Sequence, residues 1–97
     1  MNLKINVYND CTSDKPSKTY EVRRVLFKTA KRLGALRDES AKASDEDQEK
    51  ITLKMLQAII PEFTAEDLDG VDPVELGDFL RNIGGEVNAV IADAAKN

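Results

Sequence analysis

The amino-acid sequence predicts an α+β fold that is mainly α, with a short N-terminal strand or β-hairpin followed by three to four helices in a compact bundle. Apolar residues alternate at the N-terminus and recur every three or four positions along most of the remainder. Aromatic residues make up only 5% of the 97 residues, so aliphatic side chains must fill the single core. The predicted elements of this one domain, residues 1–97, are a strand or hairpin region over 1–20 and helices over 21–37, 45–60, 65–69 and 73–95.

The N-terminal strand is predicted by a two-residue period. Leu3, Ile5 and Val7 alternate with more polar neighbours, as in a half-buried strand. Residues 9–17 are rich in turn-forming types and predict a loop. Residues 18–22 are either a second strand that closes a hairpin or the start of the next helix, and the sequence leaves both interpretations open.

The first two helices are predicted from their apolar faces. Between them lies a polar stretch, and Ser44 is expected to cap the second helix, with acidic residues after it at the positive end of the helix dipole. Pro61 is expected to end that helix because it lacks an N–H and disfavours helical geometry in the preceding residue. The apolar positions of the first helix share one face and are Val22, Val25, Leu26, Ala30, Leu33 and Leu36.

A short third helix is predicted by its capping residues. Thr64 and Asp67 have the spacing of a capping box, and Phe63 before the cap can meet Leu68 as a hydrophobic staple. Gly70 is expected to end this helix in a left-handed conformation.

The last helix is predicted to begin with Asp72 as its cap, Pro73 in the first position and Glu75 reaching back to the cap. An apolar stripe then continues to the C-terminus. Gly84 and Gly85 interrupt this stripe at a cost of about 1 kcal/mol each relative to Ala. They predict either a kink or a close approach of another backbone.

The charge is unevenly distributed along the chain. The net charge is −4, yet residues 1–37 hold nine of the 14 Lys/Arg and only three acids, whereas residues 38–97 hold fifteen of the 18 acids. The two halves either attract each other within the fold or direct charged partners to opposite faces. No nucleic-acid partner is expected, because the whole chain is acidic and contains no recognition motif.

Composition argues against catalysis and against cofactors. The chain has no His, which removes the commonest general base and metal ligand, and Cys11 as the one cysteine allows no internal disulfide. A reducing interior compartment fits this cysteine usage, and no secretory signal or membrane span is recognisable. We therefore expect a binding protein without an active site, metal or cofactor.

Two short motifs suggest chemistry but lack essential residues. Asp67, Asp69 and Gly70 match part of an EF-hand loop, but Ala65 and Leu76 occupy the first and last ligand positions, so no calcium cage is expected. Residues 69–76 resemble the acyl carrier protein segment that holds the phosphopantetheine arm. Gly70 stands where that family has its serine, so no arm can be attached.

A longer stretch resembles the tail assembly chaperones of tailed phages. The likeness covers roughly residues 19–91 and includes a strand-to-helix segment with Arg23 and Arg24, a Phe-Thr-x-Glu/Asp-Asp-Leu turn at residues 63–68, a Gly, and a final amphipathic helix ending in valines. The resemblance implies a chaperone that binds the long apolar tape measure protein in the host cytoplasm while the tail tube polymerises, and that is absent from the mature virion. The tail tube protein and a second copy of this chain are further implied partners.

The final helix supplies the candidate contact residues for such a client. It carries more apolar residues than one core-facing row needs, which predicts a helix-in-groove contact through Ile83, Val87, Val90 and Ile91. Core packing of these residues is the competing interpretation. The alternative functions are an acyl-carrier-like helical protein without the phosphopantetheine serine, or a small helical protein-interaction module.

Overall fold

The computed structural model describes the backbone of residues 3–96 and the side chains of residues 3–89. It confirms the predicted fold class, a two-stranded hairpin followed by four helices. The elements are β1 (Leu3–Val7), β2 (Lys18–Val22), α1 (Phe27–Lys42), α2 (Asp45–Ile59), α3 (Ala65–Asp69) and α4 (Pro73–Lys96).

The N-terminal strands form an antiparallel hairpin in which Leu3 pairs with Val22 and Ile5 with Tyr20. The strand interpretation of residues 18–22 is therefore correct. The predicted alternation in β1 is also confirmed, because Ile5 and Val7 are buried whereas Lys4 is exposed.

The first helix was predicted over residues 21–37, and both of these ends are wrong. The helix begins only at Phe27, because residues 21 and 22 pair with β1 and Leu26 has β-type angles. At the other end α1 continues to Lys42, where Gln48 of α2 donates a 2.6 Å hydrogen bond to the Ser40 carbonyl oxygen. That bond satisfies a carbonyl in the last turn without any apolar residue, which is why apolar periodicity missed the extension.

The predicted helix ends are partly confirmed. Pro61 follows the end of α2 at Ile59, and the Thr64–Asp67 capping box is complete. Ser44 occupies the N-cap position of α2, but its side chain accepts no capping hydrogen bond. Its hydroxyl instead donates to the Asp47 carboxylate at 3.3 Å.

At the start of α4, Asp72 has its predicted role and Glu75 does not. The Asp72 carboxylate accepts hydrogen bonds from the N–H groups of Val74, at 2.8 Å, and Glu75, at 3.4 Å, so it is the predicted cap. The side chain of Glu75 does not reach back to the cap, because it accepts hydrogen bonds from Asn6 at 3.1 Å and Tyr8 at 3.2 Å instead.

Gly70 ends α3 but is not left-handed, since its φ is −95°. Its role is to allow a close approach between the hairpin and the α3–α4 segment. A Cβ at this position would lie 2.7 Å from the carbonyl oxygen of Tyr8 and 2.8 Å from Cγ1 of Val7. The Tyr8 N–H donates a 2.7 Å hydrogen bond to the Gly70 carbonyl oxygen at the same place.

Helix α4 continues without a break through Gly84 and Gly85. Among the described residues, nothing lies within 4 Å of a Cβ built at Gly85, and the Arg37 guanidinium alone does so at Gly84. No backbone of the described part of this chain therefore makes the predicted close approach.

The core lies where β1, α1 and α4 meet. Helix α1 packs against both α2 and α4, and β1 packs against α4. Among the described residues, no helix is both long and apolar enough to cross a membrane. The buried side chains of the core cluster are Ile5, Val7, Val22, Ala30, Leu33, Leu56, Ile60, Phe63, Phe79, Ile83 and Val87.

Candidate partner-binding cleft

An apolar cleft opens between α2 and α4, with α1 beneath it. The cleft has a volume of about 170 Å³, below the roughly 300–1,000 Å³ typical of small-molecule sites. It arises because α1 serves as the main packing partner of both other helices. Its lining residues are Leu33, Arg37, Met55, Ile59, Leu80, Ile83, Gly84 and Val87.

The floor and walls of the cleft differ in exposure. Leu33, Ile83 and Val87 are buried, whereas Met55, Ile59 and Leu80 are half-buried around the opening. Apolar side chains that stay partly in water gain free energy when an apolar partner covers them. The walls can therefore contribute to binding, and the floor mainly holds the fold together.

Among the residues whose side chains the structure describes, Arg37 is the one charged residue that lines the cleft. Its Nη2 atom lies 3.3 Å from where a Cβ of Gly84 would be, so the missing side chain of Gly84 leaves room for the guanidinium. No carboxylate of the described side chains lies within salt-bridge distance of Arg37. The cleft therefore combines an apolar lining with a cation that can pair with an acidic group.

The structure describes the side chains of two of the four predicted contact residues. Ile83 and Val87 are only 3% and 2% exposed and form the floor of the cleft. Their burial supports the competing interpretation, which is core packing. The side chains of Val90 and Ile91 lie outside the described residues.

The wall residues were missed as contact candidates because their role depends on which helices become neighbours. Met55 and Ile59 are four residues apart on α2, so the sequence places them on one face of that helix. Periodicity alone does not show whether such a face is covered. That depends on the gap between α2 and α4, which is a property of the tertiary structure.

A second, larger cleft of about 890 Å³ lies between the hairpin loop and residues 66–73. It contains the segment that resembles an EF-hand and a carrier protein. Carboxylates line it, but no group of three or more potential metal ligands is found among the described residues. A serine at position 70 would also place its Cβ against Tyr8, so this segment could not present a phosphopantetheine arm in the observed packing.

Asp67 lines this cleft, but a network of hydrogen bonds engages its carboxylate. Its carboxylate accepts from Lys18 Nζ at 3.0 Å, from the Tyr20 hydroxyl at 2.7 Å and from the Thr64 N–H at 3.1 Å. Burial raises the pKa of Asp67, but hydrogen bonds from Tyr20, Lys18 and Thr64 outweigh it, so the pKa lies below its usual value. Asp67 is therefore a charged link between β2 and α3, and it is not placed to bind a metal.

Glu75 links β1 to α4 in a similar way. It accepts from the side chains of Asn6 and Tyr8, and its hydrogen bond raises the pKa of Tyr8 above the usual value. The two carboxylates together attach both strands of the hairpin to the α3–α4 segment.

Comparison with known families, curated proteins and solved structures finds no match to this chain. The function proposed below therefore depends on the cleft and on the resemblance noted in the sequence.

Proposed function

We propose that this chain is a phage tail assembly chaperone that binds an apolar helical segment of the tape measure protein and keeps it soluble while the tail tube assembles. The apolar cleft between α2 and α4 is the observation that carries the proposal. Its small volume suits one or two side chains of a helix better than a drug-sized ligand.

Binding would follow helix-in-groove recognition. Apolar residues spaced three or four apart on the client would cover Met55, Ile59 and Leu80, and a client carboxylate would meet Arg37. Only the exposed parts of these walls are available, so the contact is small and reversible. Reversibility suits a chaperone that leaves its client when the tube protein takes over, before the virion is complete.

The test is co-expression with the tape measure protein, which the proposal predicts to be a long helical protein encoded near the gene for this chain. Wild type should keep that client in the soluble fraction and co-purify with it, whereas Met55→Glu should reduce its recovery several-fold, because a carboxylate in the wall must be desolvated when the client binds. Circular dichroism checks that the variant stays folded.

Val74→Glu is the matched control, since Val74 is also apolar but is 73% exposed and lies outside the cleft. It should leave client recovery unchanged. Equal loss in both variants, or a genome neighbourhood without a gene for a long helical protein, would overturn the proposal. Binding of unrelated apolar helices with equal strength would instead favour a general interaction module.

A further inference from the structure

One end of the α1–α2 pair is strongly basic. Residues 23–32 contain five Lys/Arg and no acid, and all five side chains are exposed. Within this segment Leu26 is 50% and Phe27 49% exposed, and Lys31 Nζ lies 5.3 Å from the centre of the Phe27 ring. We name residues 23–32 the basic end; it combines positive charge with an uncovered apolar pair.

The opposite end of the same two helices is strongly acidic. Residues 38–49 contain six Asp/Glu and one base, Lys42, and every one of these charged side chains is exposed. This acidic end comprises the last turns of α1 and the first turn of α2. The 16 residues of α1 give that helix a length of roughly 24 Å at about 1.5 Å per residue, with residues of the basic end in its first half and residues of the acidic end in its last turns.

The two ends do not neutralise each other within the fold. The ion pairs among the described side chains are Lys18–Asp67, Arg23–Glu21 and Arg81–Asp78, and none of them joins the basic end to the acidic end. Helix α2 follows α1 after two residues and packs along it, so the acidic first turn of α2 stays at the far end. The Lys18–Asp67 pair thus joins the basic and the acidic half of the chain, but no ion pair of the described side chains joins these two segments.

We propose that the basic end of one copy binds the acidic end of a second copy, head to tail. The ends carry opposite charge of similar size, and contact would also cover Leu26 and Phe27. Because the two surfaces differ, each bound copy leaves one free end, and association continues into an open chain or closes into a ring. This contact is separate from the apolar cleft and does not depend on the proposed chaperone function.

The test uses two double variants, each of which damages one end. Lys28→Glu with Lys31→Glu damages the basic end, and Glu46→Lys with Glu49→Lys damages the acidic end; all four residues are exposed. In sedimentation velocity at about 0.03 M salt, wild type should form oligomers that dissociate at about 0.5 M salt. Each variant alone should sediment as a monomer, with association weakened at least about tenfold.

An equimolar mixture of the two variants should form a one-to-one heterodimer, because each contributes one intact end. Lys4→Glu with Lys15→Glu is the control for the basic-end variant, since it lowers the net charge by the same amount at exposed positions outside both ends. It should still form oligomers. A wild-type monomer at low salt, a mixture that stays monomeric, or oligomers insensitive to salt would each overturn the proposal. A monomer that binds a short DNA duplex through the basic end would overturn it in favour of a nucleic-acid contact.

Discussion

At the scale of single residues, Asp67 shows how a local pattern acquires a distant role. Its spacing from Thr64 predicts the capping box, because capping needs only neighbours in sequence. Its bonds to Lys18 and Tyr20 connect positions 49 and 47 residues away, and no short pattern indicates them. The same contrast applies to Gly70. A side chain at this position would collide with Val7 and Tyr8, which lie far from it in sequence.

Replacing Asp67 by Asn should lower the free energy of unfolding at pH 7 by about 1–3 kcal/mol, since the buried charge-assisted hydrogen bonds are weakened. The pKa of Asp67 is lower in the folded state than the roughly 3.9 of an unfolded chain. Its charge therefore stabilises the fold above about pH 4, and this contribution is lost as the pH falls through the folded pKa. Urea unfolding of wild type and Asp67→Asn should show a smaller difference in the free energy of unfolding at pH 3 than at pH 7. An equal difference at both pH values would contradict this role of the charge.

Gly70→Ala should destabilise the protein by about 1–3 kcal/mol, because the added methyl group meets backbone and side-chain atoms of Tyr8 and Val7. Gly85→Ala is the matched comparison, made in a helix with nothing within 4 Å of the new Cβ. It should stabilise the protein by about 0.5–1 kcal/mol. Thermal unfolding of the two variants should shift in opposite directions. A common direction would argue against the close approach at Gly70.

At the scale of elements, helices with local end signals were well predicted and α1 was not. Pro61, the Thr64 capping box and Asp72 act on residues within four positions, so α2, α3 and the start of α4 were found close to their observed bounds. Helix α1 has neither a side-chain N-cap nor an acid in its first turn. Its beginning is set by the pairing of β2 with β1, which periodicity does not report.

The apolar face of α4 gives an element-scale prediction. Val87 is 2% exposed, so Val87→Asp should place an unpaired carboxylate in the core and lower stability by more than about 3 kcal/mol. Val74→Asp, on the same helix but at 73% exposure, should change stability by less than about 0.5 kcal/mol. Denaturation followed by circular dichroism separates the two. A folded Val87→Asp protein of normal stability would return Val87 to the contact candidates.

At the scale of the whole molecule, the fold class could be predicted and the cleft could not. Alternation and helical spacing each describe one element, and together they indicate a hairpin and helices around one core. The cleft depends on how α2 and α4 are arranged on α1, which is decided by side chains far apart in sequence. The contact candidates were chosen for their apolar character alone. They therefore included Ile83 and Val87, which are buried in the core.

The few ion pairs lead to a prediction about salt. Of the three pairs among the described side chains, Arg23–Glu21 and Arg81–Asp78 are largely exposed, and such pairs each contribute up to about 1 kcal/mol. Raising the salt from about 0.05 M to about 0.5 M should therefore change the free energy of unfolding by less than about 1 kcal/mol. The measurement is urea unfolding of the Lys28→Glu/Lys31→Glu variant, which should be monomeric at both salt concentrations, so that dissociation of oligomers does not contribute. A much larger loss would mean that the separated charges stabilise the fold itself.

The attachment of the hairpin to the α3–α4 segment has a consequence for folding on the ribosome. The side chains of Asn6 and Tyr8 bond to Glu75, and those of Lys18 and Tyr20 bond to Asp67, so the two strands find these partners only after 47 to 69 further residues have been made. A two-stranded hairpin alone is marginally stable in water. The nascent hairpin therefore lacks these stabilising contacts during that interval, and we expect its docking on the α3–α4 segment to be a late step in folding.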